Sequence, residues 1–223
     1  GAVARIKFKN IETKLIYGKP LNYVFPPTED SSRRIDEIAA IYTEYNWNQQ
    51  TLGAALMNHW NSGDNTTYGM FTASGIISPS LSYYTEVSKN IEDYDIEDFS
   101  NNSSFAIYTG INFSHDNLGL SLEYKNYKNF LIGSGINEPP ALVREHEYSL
   151  LNRSTHVLQP TNESGYQLEV FYSFDDLSTL TANYTRAINS FTKKHIFQEY
   201  FLEYAFSLHQ KQDIKIFSDY ALD

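Results

Sequence analysis

The stretch Phe105–Tyr124 reads FAIYTGINFSHDNLGLSLEY, and it decides the fold. Phe105, Ile107, Thr109, Ile111 and Phe113 fall on one face, and Ala106, Tyr108, Gly110, Asn112 and Ser114 on the other. His115-Asp116-Asn117 breaks the pattern. It then resumes with Leu118, Leu120, Leu122 and Tyr124 against Gly119, Ser121, Glu123 and Lys125. Period-two alternation makes a strand with one oily and one polar face. Each arm has roughly the nine to eleven residues that a tilted strand needs to cross a bilayer. The polar face suits the inside of a water-filled barrel.

The same unit recurs on both sides of this hairpin. Upstream, Ala4, Ile6 and Phe8 lead through Lys9-Asn10 to Ile11, Thr13, Leu15 and Tyr17. Ile41, Thr43, Tyr45 and Trp47 lead through Asn48-Gln49-Gln50 to Leu52, Ala54 and Leu56. Leu81, Tyr83, Thr85 and Val87 follow the break Ser78-Pro79-Ser80. Downstream come Tyr166, Leu168, Val170 and Tyr172, then Leu180, Ala182 and Tyr184, then Tyr200, Leu202, Tyr204 and Phe206, and a last strand from Ile214.

The connections alternate as well. Short breaks at 9–10, 48–50, 78–80, 115–117, 175–177 and 210–212 take turns with longer ones at 18–34, 61–66, 90–103, 126–164 and 187–195. Antiparallel membrane barrels have this parity, with short turns on the periplasmic side and long loops outside. Greek-key sandwiches mix connection lengths. The expectation is an all-β, antiparallel transmembrane β-barrel of about twelve or more strands, a single domain over residues 1–223. Its long exterior loops are expected near 18–34, 90–103 and 126–164.

Composition agrees. The 223 residues carry a formal charge of −10, no cysteine, 41% hydrophobic residues and a mean hydropathy of −0.44. Alternation halves the apparent hydrophobicity of a membrane strand, so a polar average fits a barrel. Eighteen tyrosines and fourteen phenylalanines suit the aromatic girdles of a membrane barrel, and equally the core of a soluble β-sandwich. The net acidity argues against a nucleic-acid partner, which needs clustered Lys and Arg. The chain ends Tyr220-Ala221-Leu222-Asp223, without the final aromatic residue typical of outer-membrane barrels, and shows no signal peptide. The expectation is an incomplete piece of a larger barrel.

The segment 126–164 holds the most distinctive cluster. Arg144, His146, Arg153 and His156 gather there in an otherwise acidic chain, after Pro139-Pro140. Long loops with their own pattern carry function or fold back into a lumen. These four residues are the candidate ligand-binding set, as part of a plug or constriction; the competing reading is an exterior loop packed on its neighbours. The gap between His146 and His156 matches no metal-ligand spacing. The acidic run Glu92–Asp98 lacks the glycine and terminal glutamate of a calcium loop. Ser62 follows His59 by three residues, so on a continuing strand the two point to opposite faces and make no nucleophile–base pair.

Pro139-Pro140 through Asn152-Arg153 and His156, followed by Asn162-Glu163 and Gly165-Tyr166, resembles an outer-membrane barrel family of Bacteroidota-type bacteria that has no assigned activity. The resemblance covers residues 137–166 and implies a barrel in the bacterial outer membrane. It carries over no site.

Glu123, Lys125, Gln167, Glu169 and Glu203 are the expected lumen-facing residues. The functional expectation is a porin-like channel or passive transporter for small solutes, in contact with outer-membrane lipid. A non-transporting subunit of an outer-membrane complex, holding other outer-membrane or periplasmic proteins, is the first alternative. A soluble β-sandwich binding carbohydrate is the second. No enzyme activity, cofactor or metal is expected.

Overall fold

A computed structural model describes residues 1–19, 21–23, 33–61, 64–91, 104–130, 132, 162–174, 178–208 and 212–222. The chain is all-β. The strands are β1 (Ala2–Phe8), β2 (Ile11–Gly18), β3 (Leu21–Tyr23), β4 (Arg33–Ile35), β5 (Glu37–Trp47), β6 (Gln50–Asn61) and β7 (Asp64–Ser78). They continue with β8 (Leu81–Asn90), β9 (Phe105–His115), β10 (Leu118–Lys128), β11 (Glu163–Ser173), β12 (Thr179–Asn189), β13 (His195–Leu208) and β14 (Gln212–Leu222). Twelve of them form one antiparallel sheet in the order β1-β2-β5-β6-β7-β8-β9-β10-β11-β12-β13-β14, and β3 pairs only with β4. Each strand of the large sheet pairs with its neighbours in sequence, apart from the β3–β4 insertion. The sheet is not closed: among the described residues no ladder joins β1 to β14.

The tight turns explain themselves chemically. Lys9, Asn48 and Asp116 adopt left-handed backbone conformations, with φ of 51°, 52° and 48°. Asn and Asp tolerate that region better than most residues with a Cβ. Each sits at the first turn position of a hairpin, so register is pinned there: Phe8 faces Ile11, Trp47 faces Gln50, and His115 faces Leu118.

Three connections differ from the expected lengths. The loop expected at 61–66 is a tight link, because β6 runs to Asn61 and β7 begins at Asp64. Polar residues extend the ladder there, with the Thr67 hydroxyl donating to Asn58 Oδ1 at 2.9 Å. Backbone pairing needs no oily face, so the hydrophobic alternation ends before the strands do. For the same reason β10 continues through Asn126 to Lys128. The segment 18–34 contains the β3–β4 hairpin, whose strands of three residues are too short to show a period.

Polarity is inverted relative to a soluble core. The largest fully buried side chains include Lys125, Glu163, Thr185 and Asp36, beside Phe197. Meanwhile Leu15, Ile41, Leu56, Ile111, Leu122, Leu168, Leu202 and Ile216 stand exposed on the other face. Paired residues share a face, and the ladder Ile111–Leu122–Leu168 extends this oily surface across β9, β10 and β11. The hydroxyls on the same face satisfy one another: Thr13 with Thr43 at 3.1 Å, and Thr85 with Thr109 at 2.9 Å.

Aromatic rings edge the oily face in two tiers across β11 to β14. Tyr166, Tyr184, Tyr200 and Tyr220 form one, with successive centroids 5.7, 4.7 and 6.5 Å apart. Tyr172, Phe174, Tyr204 and Phe206 form the other, at 4.7, 6.1 and 5.4 Å. Leu168, Val170, Ala182 and Leu202 fall between the tiers.

Candidate functional site

The polar face of the sheet is the candidate site, and alternation builds it strand by strand. Arg5, Glu12, Lys14 and Glu44 make a charge ladder across β1, β2 and β5. Arg5 Nε lies 3.1 Å from Glu12, and the Lys14 ammonium 3.6 Å from Glu12 and 3.7 Å from Glu44. Lys14 also sits over the Tyr42 ring, 5.3 Å from its centroid.

Two pairs on this face are deeply buried. Lys125 Nζ lies 2.6 Å from Glu163 Oε1, and both side chains are 1% exposed. His59 Nε2 donates to Asp36 Oδ1 at 2.7 Å, with the side chains 3% and 0% exposed. Asp36 precedes β5 and His59 stands near the end of β6, beside Ile38 in the ladder. Asp36 Oδ2 has no hydrogen-bond partner among the described residues, so the carboxylate depends on the imidazole. Replacing His59 with Ala is expected to cost about 1–3 kcal/mol, since it strips the partner from a buried acceptor. Equilibrium unfolding of the detergent-extracted protein measures it, and a loss below a few tenths of a kcal/mol would mean that water reaches Asp36 freely.

Between β5 and β10 the same face forms a cavity of about 610 Å³. Tyr42, Tyr68, Tyr84, Tyr108 and Tyr127 line it, with Glu86 as a charged group in the wall. Tyr84 donates to Glu86 Oε2 at 2.6 Å and Tyr108 to Glu123 Oε2 at 2.8 Å. Tyr42 shares a hydrogen bond with Thr72 at 3.4 Å. Gly53 makes room for this arrangement: a Cβ there would stand 2.5 Å from the Tyr42 hydroxyl and 2.9 Å from its Cε2.

One end of the cavity is covered by chain that leaves β10. Asn129 takes φ of 46°, and Phe130 beyond it is buried edge-on against Tyr68, centroids 5.7 Å apart. Met57 and Ile132 pack around them. The fold-back is anchored on three sides. Ser104 donates to the Asn129 carbonyl at 2.8 Å, Asn129 N to Asn162 Oδ1 at 3.0 Å, and Ser190 to the Tyr127 carbonyl at 2.8 Å.

Glu123, Lys125, Gln167, Glu169 and Glu203 all lie on this polar face. Glu123 stands opposite Gly110 and Gln167, Glu169 opposite Ser121 and Asn183, and Glu203 opposite Thr181 and Phe217. Arg144, His146, Arg153 and His156 lie outside the described residues, as does Ser62. Periodicity does not announce the His59–Asp36 pair: Asp36 stands just before β5, where alternation has not begun, and its partner lies near the far end of the next strand. The tyrosine cavity was visible only in part. Tyr84 and Tyr108 alternate with polar neighbours, but Tyr127 lay beyond the expected end of its strand.

At the rim of the oily face, Glu37 bonds to Lys19 at 3.0 Å and accepts from the Tyr17 hydroxyl. The Glu37 hydrogen bond and charge hold the Lys19 ammonium above its ordinary pKa.

Residues 33–223 match DUF6029, a family of unknown function. Comparison with curated proteins finds no match. Among solved structures the chain is similar to Wzi, an outer membrane protein involved in group 1 capsule assembly in Escherichia coli and described as a carbohydrate-binding β-barrel. The identity is 11% and the TM-score 0.48, over 96% of this chain and 52% of that one. The chain thus spans about half the length of that structure.

Proposed function

The chain belongs to the DUF6029 family, and we propose that it is an outer-membrane β-barrel protein whose polar inner wall receives small solutes as a porin-like channel or passive transporter. The inverted polarity carries the barrel part of this reading. Lys125 and Glu163 are 1% exposed, while Leu122 on the opposite face is 43% exposed and has aliphatic neighbours on both adjacent strands. In water this arrangement wastes the hydrophobic effect and desolvates charge. In a bilayer the oily face meets lipid and the polar face turns inward, where Lys125 and Glu163 compensate one another at 2.6 Å. The two aromatic tiers fit the interfacial girdles of a membrane barrel. Strand edges cannot face hydrocarbon, so in the membrane β1 and β14 must each be paired, with one another or with further strands.

A second reading follows from Phe130. It packs with Tyr68, Tyr127 and Met57 inside the polar face and fills part of the would-be channel with apolar side chains. That favours a filled barrel, which holds a ligand or partner without conducting.

Heat-modifiability of the full-length, membrane-extracted protein on a detergent gel tests both. A fast-migrating band that slows on boiling supports the barrel. Stepwise conductance in planar bilayers then supports the channel, and its absence with an intact heat shift supports the filled barrel. A water-soluble protein without a heat shift overturns the membrane reading and leaves the carbohydrate-binding sandwich.

A further inference from the structure

We propose that the tyrosine-lined cavity between β5 and β10 binds an organic ammonium cation with an apolar body. The inference rests on the reading of the polar face as the lumen of a membrane barrel. At about 610 Å³ the cavity has the size of a small-molecule site. What its wall offers is unusual for a lumen: five tyrosines, two methionines and further apolar side chains around Glu86.

The tyrosine hydroxyls are largely committed. Tyr84 donates to Glu86, Tyr108 to Glu123, and Tyr42 bonds Thr72. These tyrosines therefore offer a ligand their rings more than their hydroxyls. A carboxylate that accepts from a phenol also places negative charge beside the ring, which strengthens the attraction of the ring for a cation. The protein itself uses one of these rings so, with the Lys14 ammonium 5.3 Å from the centroid of Tyr42.

Charge selects among ligands of this size. Among the described lining residues there is no Lys, Arg or His, and Glu86 is an acid, so an anionic amphiphile meets a carboxylate in the wall, while Lys14 beside Tyr42 is already engaged by Glu12 and Glu44. A sugar needs a hydrogen-bond partner for most of its hydroxyls, and beyond Glu86 and Ser88, themselves in contact at 3.4 Å, the wall has few polar groups to give. An alkylammonium needs aromatic rings, one carboxylate and an apolar floor. Met57, Met70 and Phe130 supply the floor.

The test is calorimetric titration of the full-length protein in a neutral polyoxyethylene detergent with butyltrimethylammonium, hexanoate and maltose. The expected result is saturable binding of butyltrimethylammonium alone. Glu86→Gln is expected to weaken it about tenfold by removing the counter-charge. Ala55→Phe, which fills the cavity beside Tyr42 without touching charge, is expected to abolish it. Tighter binding of hexanoate or maltose overturns the proposal. So does an absence of saturable binding by protein that still shifts on heating, or binding indifferent to both substitutions. Loss of the heat shift in the parent protein overturns the barrel reading instead, so the two failures are told apart on the same gel.

Discussion

Leu122→Arg is expected to destabilise the protein in lipid by about 2–4 kcal/mol, the cost of a cation at the midplane of a membrane barrel. Leu122 is 43% exposed and lies between Ile111 and Leu168, both also exposed. Nothing in the packing of the sheet resists a longer side chain there. In water the substitution replaces an exposed apolar group with a charged one, and surface changes of that kind usually stay within about 0.5 kcal/mol. The size of the effect therefore reports on the solvent that the face meets, independently of any activity. Folding into lipid vesicles, followed by the gel shift across a denaturant series, measures it. A variant as stable as the parent in lipid would place this face outside the hydrocarbon and sink the membrane reading. Lys89→Leu serves as a control: Lys89 lies opposite Phe105, at the end of the ladder where the oily face stops, and its replacement is expected to be far milder.

The alternation that makes this prediction possible is a local property, which is why it was legible in the sequence. Ile111 and Leu122 show their face through their nearest neighbours, and Asp116-Asn117 marks the turn that brings them together. Pairing that falls outside the alternation, or across a long connection, leaves no such trace. Asp36 and His59 meet because β5 and β6 are adjacent, yet Asp36 sits just before its strand, where periodicity has not begun. Glu163 joins Lys125 across the whole segment 129–162, a separation over which no residue pattern can announce a partner. Tyrosine hid the cavity for a different reason. Its ring suits a lipid interface and its hydroxyl suits a lumen, so composition reads the same for Tyr200 on the oily face and Tyr108 on the polar one. Only strand register separates the two.

Lys125→Met is expected to have the larger effect, a loss of about 3–5 kcal/mol, because it leaves the Glu163 carboxylate buried without the ammonium 2.6 Å away. Both groups have left water almost completely, so the attraction that holds them competes with a desolvation cost of several kcal/mol per ion. Restoring shape without charge should repair the damage. Lys125→Met combined with Glu163→Leu is expected to lie within about 1 kcal/mol of the parent or above it, since apolar replacements of buried pairs are often neutral or stabilising. The two single variants and the double close a cycle in which most of the single-variant loss should disappear. The pair also joins β10 to the first residue of β11, so the single variant should loosen this end of the β10–β11 ladder. If Lys125→Met costs less than about 1 kcal/mol, the pair behaves as an exposed one. Water would then reach this wall, and the open channel would gain over the filled barrel.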